Sequence, residues 1–263
     1  MTSSEMRSWD LDCEIVYGPI LSRRFGHSLG INLLPSGLKV CDFDCLYCQC
    51  GWTSRDLVTR SFAGVPFPTL NEIELAVNAR FEELQRAGSK PDTITFSGNG
   101  EPTLYPAFRE AVEIVANARN TSLPGARLGL LTNGCNLLDP LIFETVATLD
   151  LKSIKFDAGR EWLDRPLIEH NMRDLLRVWR KIENLTLQSF FCGGQFDNTQ
   201  SEDVDPWLER LAEIRPSRLQ LYTLDRVPPV STMSKASEEI LNAIAERIRG
   251  VVRTTIVEVF PGK

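Results

Sequence analysis

The stretch Leu29–Cys50, LGINLLPSGLKVCDFDCLYCQC, decides how this chain is read. Its first half, LGINLLP at 29–35, is a short apolar run closed by proline, which predicts a strand. Its second half sets Cys41, Cys45 and Cys48 in the pattern Cys-x3-Cys-x2-Cys, with Tyr47 just before the last of them. Three thiolates this close can hold three irons of a [4Fe–4S] cube and leave the fourth without a protein ligand. An open iron can bind a small molecule, so the loop predicts chemistry at a cluster rather than electron storage alone. Thiolates also suit zinc, and Cys50 would supply a fourth. Structural zinc sites generally use two separated knuckles, whereas these four cysteines fall within residues 41–50. A non-catalytic zinc or iron–sulfur staple is therefore the contrasting reading. Cys50 reads as a spectator thiol, with Gly51 letting the chain turn away.

Composition bounds the class. The chain has 263 residues, enough for one large α/β domain, and its 43% hydrophobic content is that of a globular protein and not a disordered chain. The net charge of -6 gives no polyanion-binding signature, although a local basic face can sit within an acidic whole. No apolar run approaches the ~20 residues that span a bilayer. MTSSEMRSWDLD at the N-terminus lacks the basic and apolar regions of a secretory signal. Seven cysteines, three of them clustered, then read as metal binding in a reducing compartment, with a cytoplasmic location expected.

Outward from the cysteine loop, strand and helix alternate. TLNEIELAVNARFEELQRAG (69–88) is helical, with a capping box at Thr69 and Glu72 and an apolar stripe through Leu70, Ile73, Val77, Phe81 and Leu84. DTITFSG (92–98) reads as a strand, 106–119 as a helix and ARLGLLTNG (126–134) as a strand. Asp139 caps a helix begun by Pro140. LKSIKFDA (151–158) is a strand, 167–181 a helix and NLTLQSFFCGG (184–194) a strand. A helix opens at Asp205-Pro206, SRLQLYT (217–223) is a strand, 237–249 a helix and RTTIVEVF (253–260) a last strand. Six βα units in order imply a parallel sheet with right-handed crossovers. A full eight-unit barrel typically needs ~250 residues, so a six-unit partial barrel fits this length better. On element order alone a doubly wound open sheet competes equally.

A second motif, Gly98-Asn99-Gly100-Glu101-Pro102, ends the strand after the cysteine loop. It is no dinucleotide fingerprint, because the third glycine is missing and proline follows the acid. Glycine turns let backbone approach a ligand, and a carboxylate pairs with an ammonium. Together, CDFDCLYC and GNGEP resemble the radical S-adenosylmethionine (SAM) superfamily, in which the second motif reads Gly-Gly-Glu-Pro. Asn99 departs from that pattern, whereas Gly100, Glu101 and Pro102 keep it. With YGPILSRRFGHSLGINLLP (17–35) and LYTLDRVPP (221–229), the chain is similar to a subgroup related to wyosine-type tRNA enzymes and to iron–sulfur oxidoreductases of unassigned substrate. The resemblance spans about residues 15 to 225.

The resemblance implies a partial (β/α)6 barrel, tipping the balance against the doubly wound sheet. It implies a radical SAM core over 28–263 behind an N-terminal extension at 1–27. It implies that Cys41, Cys45 and Cys48 hold a [4Fe–4S] cluster whose open iron takes the amino and carboxylate groups of SAM. An electron from the cluster would cleave SAM to methionine and a 5′-deoxyadenosyl radical. Gly98, Asn99, Gly100 and Glu101 would face the methionine moiety, and Tyr47 the adenine.

Function on this architecture gathers at the carboxyl ends of the strands. Thr132 and Asn133 end one strand and join the cofactor-binding candidates. Lys155 and Asp157 end the next, on one face by their i, i+2 spacing, and with Cys192 are the candidates for substrate chemistry. Arg23 and Arg24 could hold the SAM carboxylate, a substrate phosphate or an acidic surface. Cys13, Cys135 and Cys192 form no motif, so no second cluster is expected. His170 reads as a surface histidine in a helix. The expected reaction is hydrogen abstraction from a small molecule or peptide, fed by a reductant of ferredoxin or flavodoxin type. tRNA base modification and activation of a glycyl-radical enzyme are the alternatives, the former weakened by the acidic balance.

Overall fold

The computed structural model describes residues 11–227 and 229–262. Strands β1 (Val16–Ser22) and β2 (Gly26–Ile31) open the fold as an antiparallel hairpin. Short helix α1 (Arg55–Thr59) and long helix α2 (Leu70–Arg86) follow the cysteine loop. Then come β3 (Thr93–Phe96), α3 (Phe108–Ser122), β4 (Arg127–Thr132), α4 (Pro140–Ala147) and β5 (Leu151–Lys155). The chain continues through α5 (Arg160–Leu163), α6 (Met172–Trp179), β6 (Leu185–Phe190), β7 (Cys192–Gly194) and α7 (Ser201–Ile214). It ends with β8 (Arg218–Tyr222), β9 (Met233–Lys235), α8 (Glu238–Val251) and β10 (Ile256–Phe260).

The main sheet has eight strands in the order β1-β2-β3-β4-β5-β6-β8-β10. Every pair from β2 onward is parallel. Because strand order never reverses, each crossover advances in the same sense. A doubly wound sheet would reverse at a switch point. The architecture is thus the expected α/β partial barrel. The expected extension at 1–27 contributes β1, which completes one sheet edge, and its first ten residues lie outside the described residues.

Alternation along the strands sorts the residues. Leu29, Ile31, Ile94, Phe96, Leu128, Leu130, Ile154, Leu187, Leu219 and Leu221 join the helix-covered core. The alternate positions carry Ser28, Thr95, Ser153, Lys155, Gln188, Gln220, Tyr222 and Glu258 on the inner face. Ser28 and Thr95 bond each other at 3.0 Å, and Gln188 donates to Gln220 at 2.8 Å.

The caps form as expected. Thr69 and Glu72 make a reciprocal capping box on α2, and Asp139 accepts from the amides of Leu141 at 2.7 Å and Ile142 at 3.4 Å. Three boundaries differ from expectation. Helix α7 starts at Ser201, so Pro206 lies inside it, in its second turn, where it forfeits one i→i−4 bond. The run 184–194 breaks at Phe191, and β7 leaves the main sheet to pair antiparallel with β9. His170 precedes α6 and stacks on Phe43, with ring centroids 5.9 Å apart. Among the described residues, no helix is long and apolar enough to cross a membrane.

Trp179 anchors α6. It is fully buried, meets Phe156 edge-to-face at 5.8 Å, and its indole N–H donates to the Gly134 carbonyl at 3.1 Å. Trp179→Ala should cost about 3–5 kcal/mol of stability. A fall in the urea midpoint at unchanged m-value checks it.

Candidate active site

Cys41, Cys45 and Cys48 line a cavity of about 280 Å³ at the carboxyl ends of the inner strands. The wall is completed by Lys39, Tyr47, Cys50, Gly98, Gly100, Glu101, Thr132, Asn133, Lys155 and Asp164, among others. The β2, β3, β4 and β5 connections thus deliver the cysteine loop, the glycine turn, Thr132–Asn133 and Lys155 to one place.

The glycine turn is dictated by the cysteine loop. The Val40 amide donates to the Asn99 carbonyl at 2.9 Å, and the Glu101 amide donates to the Val40 carbonyl at 2.9 Å. Gly100 has φ +140°, and a Cβ there would lie 1.9 Å from the Val40 carbonyl oxygen. Gly98 has φ +144°, and its Cβ would lie 2.5 Å from Asn32 Oδ1. The backbone approach that glycine alone permits is what closes the turn against the loop.

Asn99 turns the other way. Its side-chain amide donates to the Asp12 carbonyl at 2.8 Å and the Pro35 carbonyl at 2.9 Å, and its Oδ1 accepts from the Asp12 amide at 2.7 Å. Its neighbours Gly98 and Gly100 line the cavity, while Asn99 ties down the segment before β1.

Glu101 is buried and accepts four hydrogen bonds. Its Oε1 takes the Thr103 amide at 3.2 Å, the Thr103 hydroxyl at 2.6 Å and the Thr132 hydroxyl at 2.7 Å; its Oε2 takes the Asn133 amide at 2.7 Å. A carboxylate with four donors has little capacity left. Glu101 therefore braces the β3 and β4 ends against each other. Burial pushes it up to about 7, the Asp42 charge adds to the push, and the Thr103, Asn133 and Thr132 donors resist it. Asn133 Nδ2 in turn donates to Asp42 Oδ1 at 2.5 Å.

On the opposite wall the Lys155 ammonium lies 3.0 Å from Asp157 Oδ2, donates to the Tyr222 hydroxyl, and sits 4.4 Å from the centre of the Tyr47 ring. The Tyr47 hydroxyl lies within hydrogen-bonding distance of both Asp157 and, at 2.7 Å, Asp164, with one proton to share between them, while its ring stacks on Phe190 at 4.1 Å. Burial pulls Lys155 down, but Asp157, Tyr222 and Asp164 outweigh it and hold the amine charged. Asp164 is pushed up to about 7 by burial and by Asp157. Its Oδ2 has no hydrogen-bond partner, with Arg160 3.8 Å away. A buried acceptor in a cavity wall with no donor invites a hydroxyl or amine from a ligand.

Lys39 escaped notice in the sequence, although it stands two residues before the first cysteine. It is 4% exposed, and its ammonium donates to the Gly51 carbonyl at 2.8 Å. Burial pulls it down, but Cys48, Cys41, Cys45 and Asp44 more than compensate and keep it charged. Asp42 and Asp164 were likewise missed; a lone Asp inside or beyond a loop has no spacing that marks it.

The donor set fits an iron–sulfur cluster. Burial pushes the Cys41 and Cys45 thiols up, so metal must displace their protons. The Cys50 S–H and Lys39 hold Cys48 down, at about 5. Among the described residues, no three metal-ligating side chains converge on a single point as one ion requires. Thiols spread along a cavity wall suit the separate corners of a cube better than one tetrahedral zinc.

The other candidates do not line the cavity. Cys192 is buried in a small apolar cluster with Leu46, Leu163 and Phe190, its thiol on the Phe196 carbonyl at 2.8 Å. Arg24 reaches the inner face from the amino ends of the strands. Its guanidinium bonds Gln188 Oε1 at 3.2 Å and lies over the Tyr222 ring at 4.3 Å. Arg23 spans the open seam of the barrel, 3.4 Å from Asp225 and bonded to the Pro261 carbonyl.

Residues 37–189 match the family model described as Radical SAM superfamily. A UPF0026 protein of Synechocystis sp. is 31% identical over 232 residues, covering 82% of this chain and 77% of the relative. A UPF0026 protein of Helicobacter pylori is 28% identical over 238 residues, covering 86% and 71%. Among solved structures, TYW1 with a lysine-pyruvate adduct bound is similar in fold, with a TM-score of 0.55 at 15% identity, covering 85% of this chain and 73% of that one.

Two outcomes test the site. Gly100→Ala should lose most of the iron taken up on reconstitution, because the clash is with backbone and the strain is of order 1–3 kcal/mol; iron analysis beside a retained far-ultraviolet dichroism spectrum checks it. Without metal, Glu101 and Asp164 at about 7 bind more protons folded than unfolded across the window from the ordinary carboxylate values, 4.5 and 3.8, up to neutrality. Their contribution therefore falls as pH rises through that window and is level above it. Asp164→Asn should make the fall shallower, as read from urea midpoints at about pH 5 and about pH 8.

Proposed function

This chain belongs to the radical SAM superfamily, and on that premise we propose that it opens SAM reductively at Cys41, Cys45 and Cys48 to act on a small-molecule or peptide substrate. Enzymes of the family use a [4Fe–4S] cluster and SAM. When bound, the cluster supplies the electron that splits SAM into methionine and a 5′-deoxyadenosyl radical.

The observation that carries the reading is the convergence of three thiols, a glycine turn and an unpartnered carboxylate oxygen on one cavity. In this reading Cys41, Cys45 and Cys48 ligate three irons. Lys39 offsets the charge of the thiolates from a buried position. The backbone of Gly98 and Gly100 receives the methionine moiety, and Glu101 keeps that turn rigid through its four bonds. Thr132 and Asn133 complete the wall. The Tyr47 ring lies beside the adenine, its hydroxyl spent on Asp157 and Asp164. Asp164 Oδ2 accepts from a hydroxyl or amine of the bound ligand. Lys155, with Asp157, meets the substrate as a fixed cation and not as a free amine, because its charge is compensated at 3.0 Å.

The net charge of -6 favours a small or peptide substrate over tRNA. The electron comes from a ferredoxin- or flavodoxin-type donor. Protein reconstituted anaerobically with iron and sulfide, reduced with dithionite and given SAM should yield 5′-deoxyadenosine. Cys45→Ala should yield none above background. Intact SAM, with no perturbation of the cluster's electron paramagnetic resonance signal, would overturn the enzyme reading.

A further inference from the structure

A second cavity, of about 440 Å³, opens inside the barrel at the amino ends of the strands, away from the cysteine loop. Its walls include the first residues of β4, β5, β8 and β10, and Arg24 enters it from the β1–β2 turn. That turn carries Arg24 into the barrel and not onto a solvated surface. The function proposed above uses no group of this cavity.

The lining holds more positive than negative charge. Arg24, Arg127 and Arg218 stand against Asp150 and Glu258. Both carboxylates are already engaged. Glu258 gives one oxygen to Arg218 at 2.5 Å and the other to Gln220 at 3.0 Å. Asp150 takes the Leu128 amide at 2.8 Å and, at 3.2 Å, Arg119, which comes from outside the cavity. Among the described residues, neither Arg24 nor Arg127 has a carboxylate within ion-pair distance. Arg24 spends one N–H on the neutral Oε1 of Gln188 at 3.2 Å. A guanidinium has five donors, so four remain.

The uncharged lining is also short of partners. Ser153 and Thr186 are 2% and 9% exposed, yet among the described residues neither hydroxyl bonds a protein group. Buried polar groups are ordinarily bonded. Water can meet the hydroxyls, but two uncompensated cations call for negative charge.

We propose that this cavity is a second ligand site, for a small oxyanion of the carboxylate or phosphate class. The ligand's oxygens take Arg24 inside the barrel and Arg127 at the exposed rim, with the Ser153 and Thr186 hydroxyls as further donors. Guanidinium groups match such oxygens with paired, charge-assisted bonds, which a neutral ligand cannot equal. A cation finds no free carboxylate here. The volume falls within the range of about 300–1,000 Å³ usual for small-molecule sites.

The test titrates reconstituted protein calorimetrically with inorganic phosphate and, separately, with succinate, each against chloride at matched ionic strength and without SAM. Saturable binding of at least one of the two, at one per chain, is expected, and the anion that binds tells phosphate from carboxylate. Arg127→Gln and Arg24→Gln should each weaken binding about tenfold or more. Arg127 is exposed and in no ion pair, so its variant keeps the test decisive even if Arg24→Gln does not fold. Lys155→Gln should leave the affinity unchanged, because Lys155 lines the other cavity. Absence of saturable binding by both anions overturns the proposal. So does binding that survives both arginine substitutions, or that is lost only with Lys155→Gln. The readout is binding alone, so it decides the site whether or not 5′-deoxyadenosine is formed.

Discussion

The contact on which the site depends is the one between Val40 and Gly100. One backbone bond runs each way across it, at 2.9 Å, and no Cβ fits between. The contact ties the loop that carries the thiols to the end of the second parallel strand. Without it the cysteine loop, which has little regular structure, would lose its backbone tie to the second parallel strand and be held by Lys39, by Asn133 on Asp42, by Tyr47 on Asp157 and by its bonds to residues 163–167. With it, the spacing between thiols and glycine turn is set by backbone, which tolerates far less drift than side-chain packing. A site that must hold a cluster and a second ligand at fixed separation gains most from such a constraint.

The same logic explains where the ionisable groups are spent. Glu101, Asp42, Asp157, Asp164, Lys155 and Arg160 are buried or nearly so around one cavity, an arrangement that costs free energy unless each is paired or bonded. Glu101 is matched by four donors, Asn133 bridges to Asp42, and Lys155 joins Asp157. What stays unmatched is one oxygen of Asp164 and the Nε of Arg160 beside it. In a network otherwise closed, the open valence marks the side from which a ligand completes it.

Much of this was legible in the residues. The capping box at Thr69, the Asp139–Pro140 helix start and the βα order follow from local chemistry and from periodicity, which act over a few residues. The cysteine spacing and the GNGEP turn marked the cavity because both motifs are continuous in sequence. The rest depended on tertiary placement. Nothing local says that Asn99 faces the Asp12 backbone, that the strand 184–194 breaks at Phe191, or that Lys39 is buried beside the thiols. Cys192 looked like a strand-end residue, yet the break at Phe191 carries it into the apolar cluster behind Tyr47 and not into the cavity lining. Arg23 and Arg24 looked available to an anion because a solvated turn and a barrel floor read alike.

That floor bears on what can reach the cavity. Arg24 lies on Tyr222 and bonds Gln188, Gln188 donates to Gln220, and Gln220 donates to Glu258 at 3.0 Å. Arg218 closes on Glu258 at 2.5 Å. This polar layer crosses the inner face at the middle of β6, β8 and β10, in register with Lys155 at the end of β5, and Tyr222 at the end of β8 bonds Lys155 directly. The cysteine loop, the glycine turn and Lys155 are the walls that meet a reactant in the cavity. Lys155 is thus held by Tyr222 on one side and by Asp157 on the other. A charge held in place before any ligand arrives costs no reorganisation when the reaction occurs, and orientation of the substrate then falls to groups already set by the sheet.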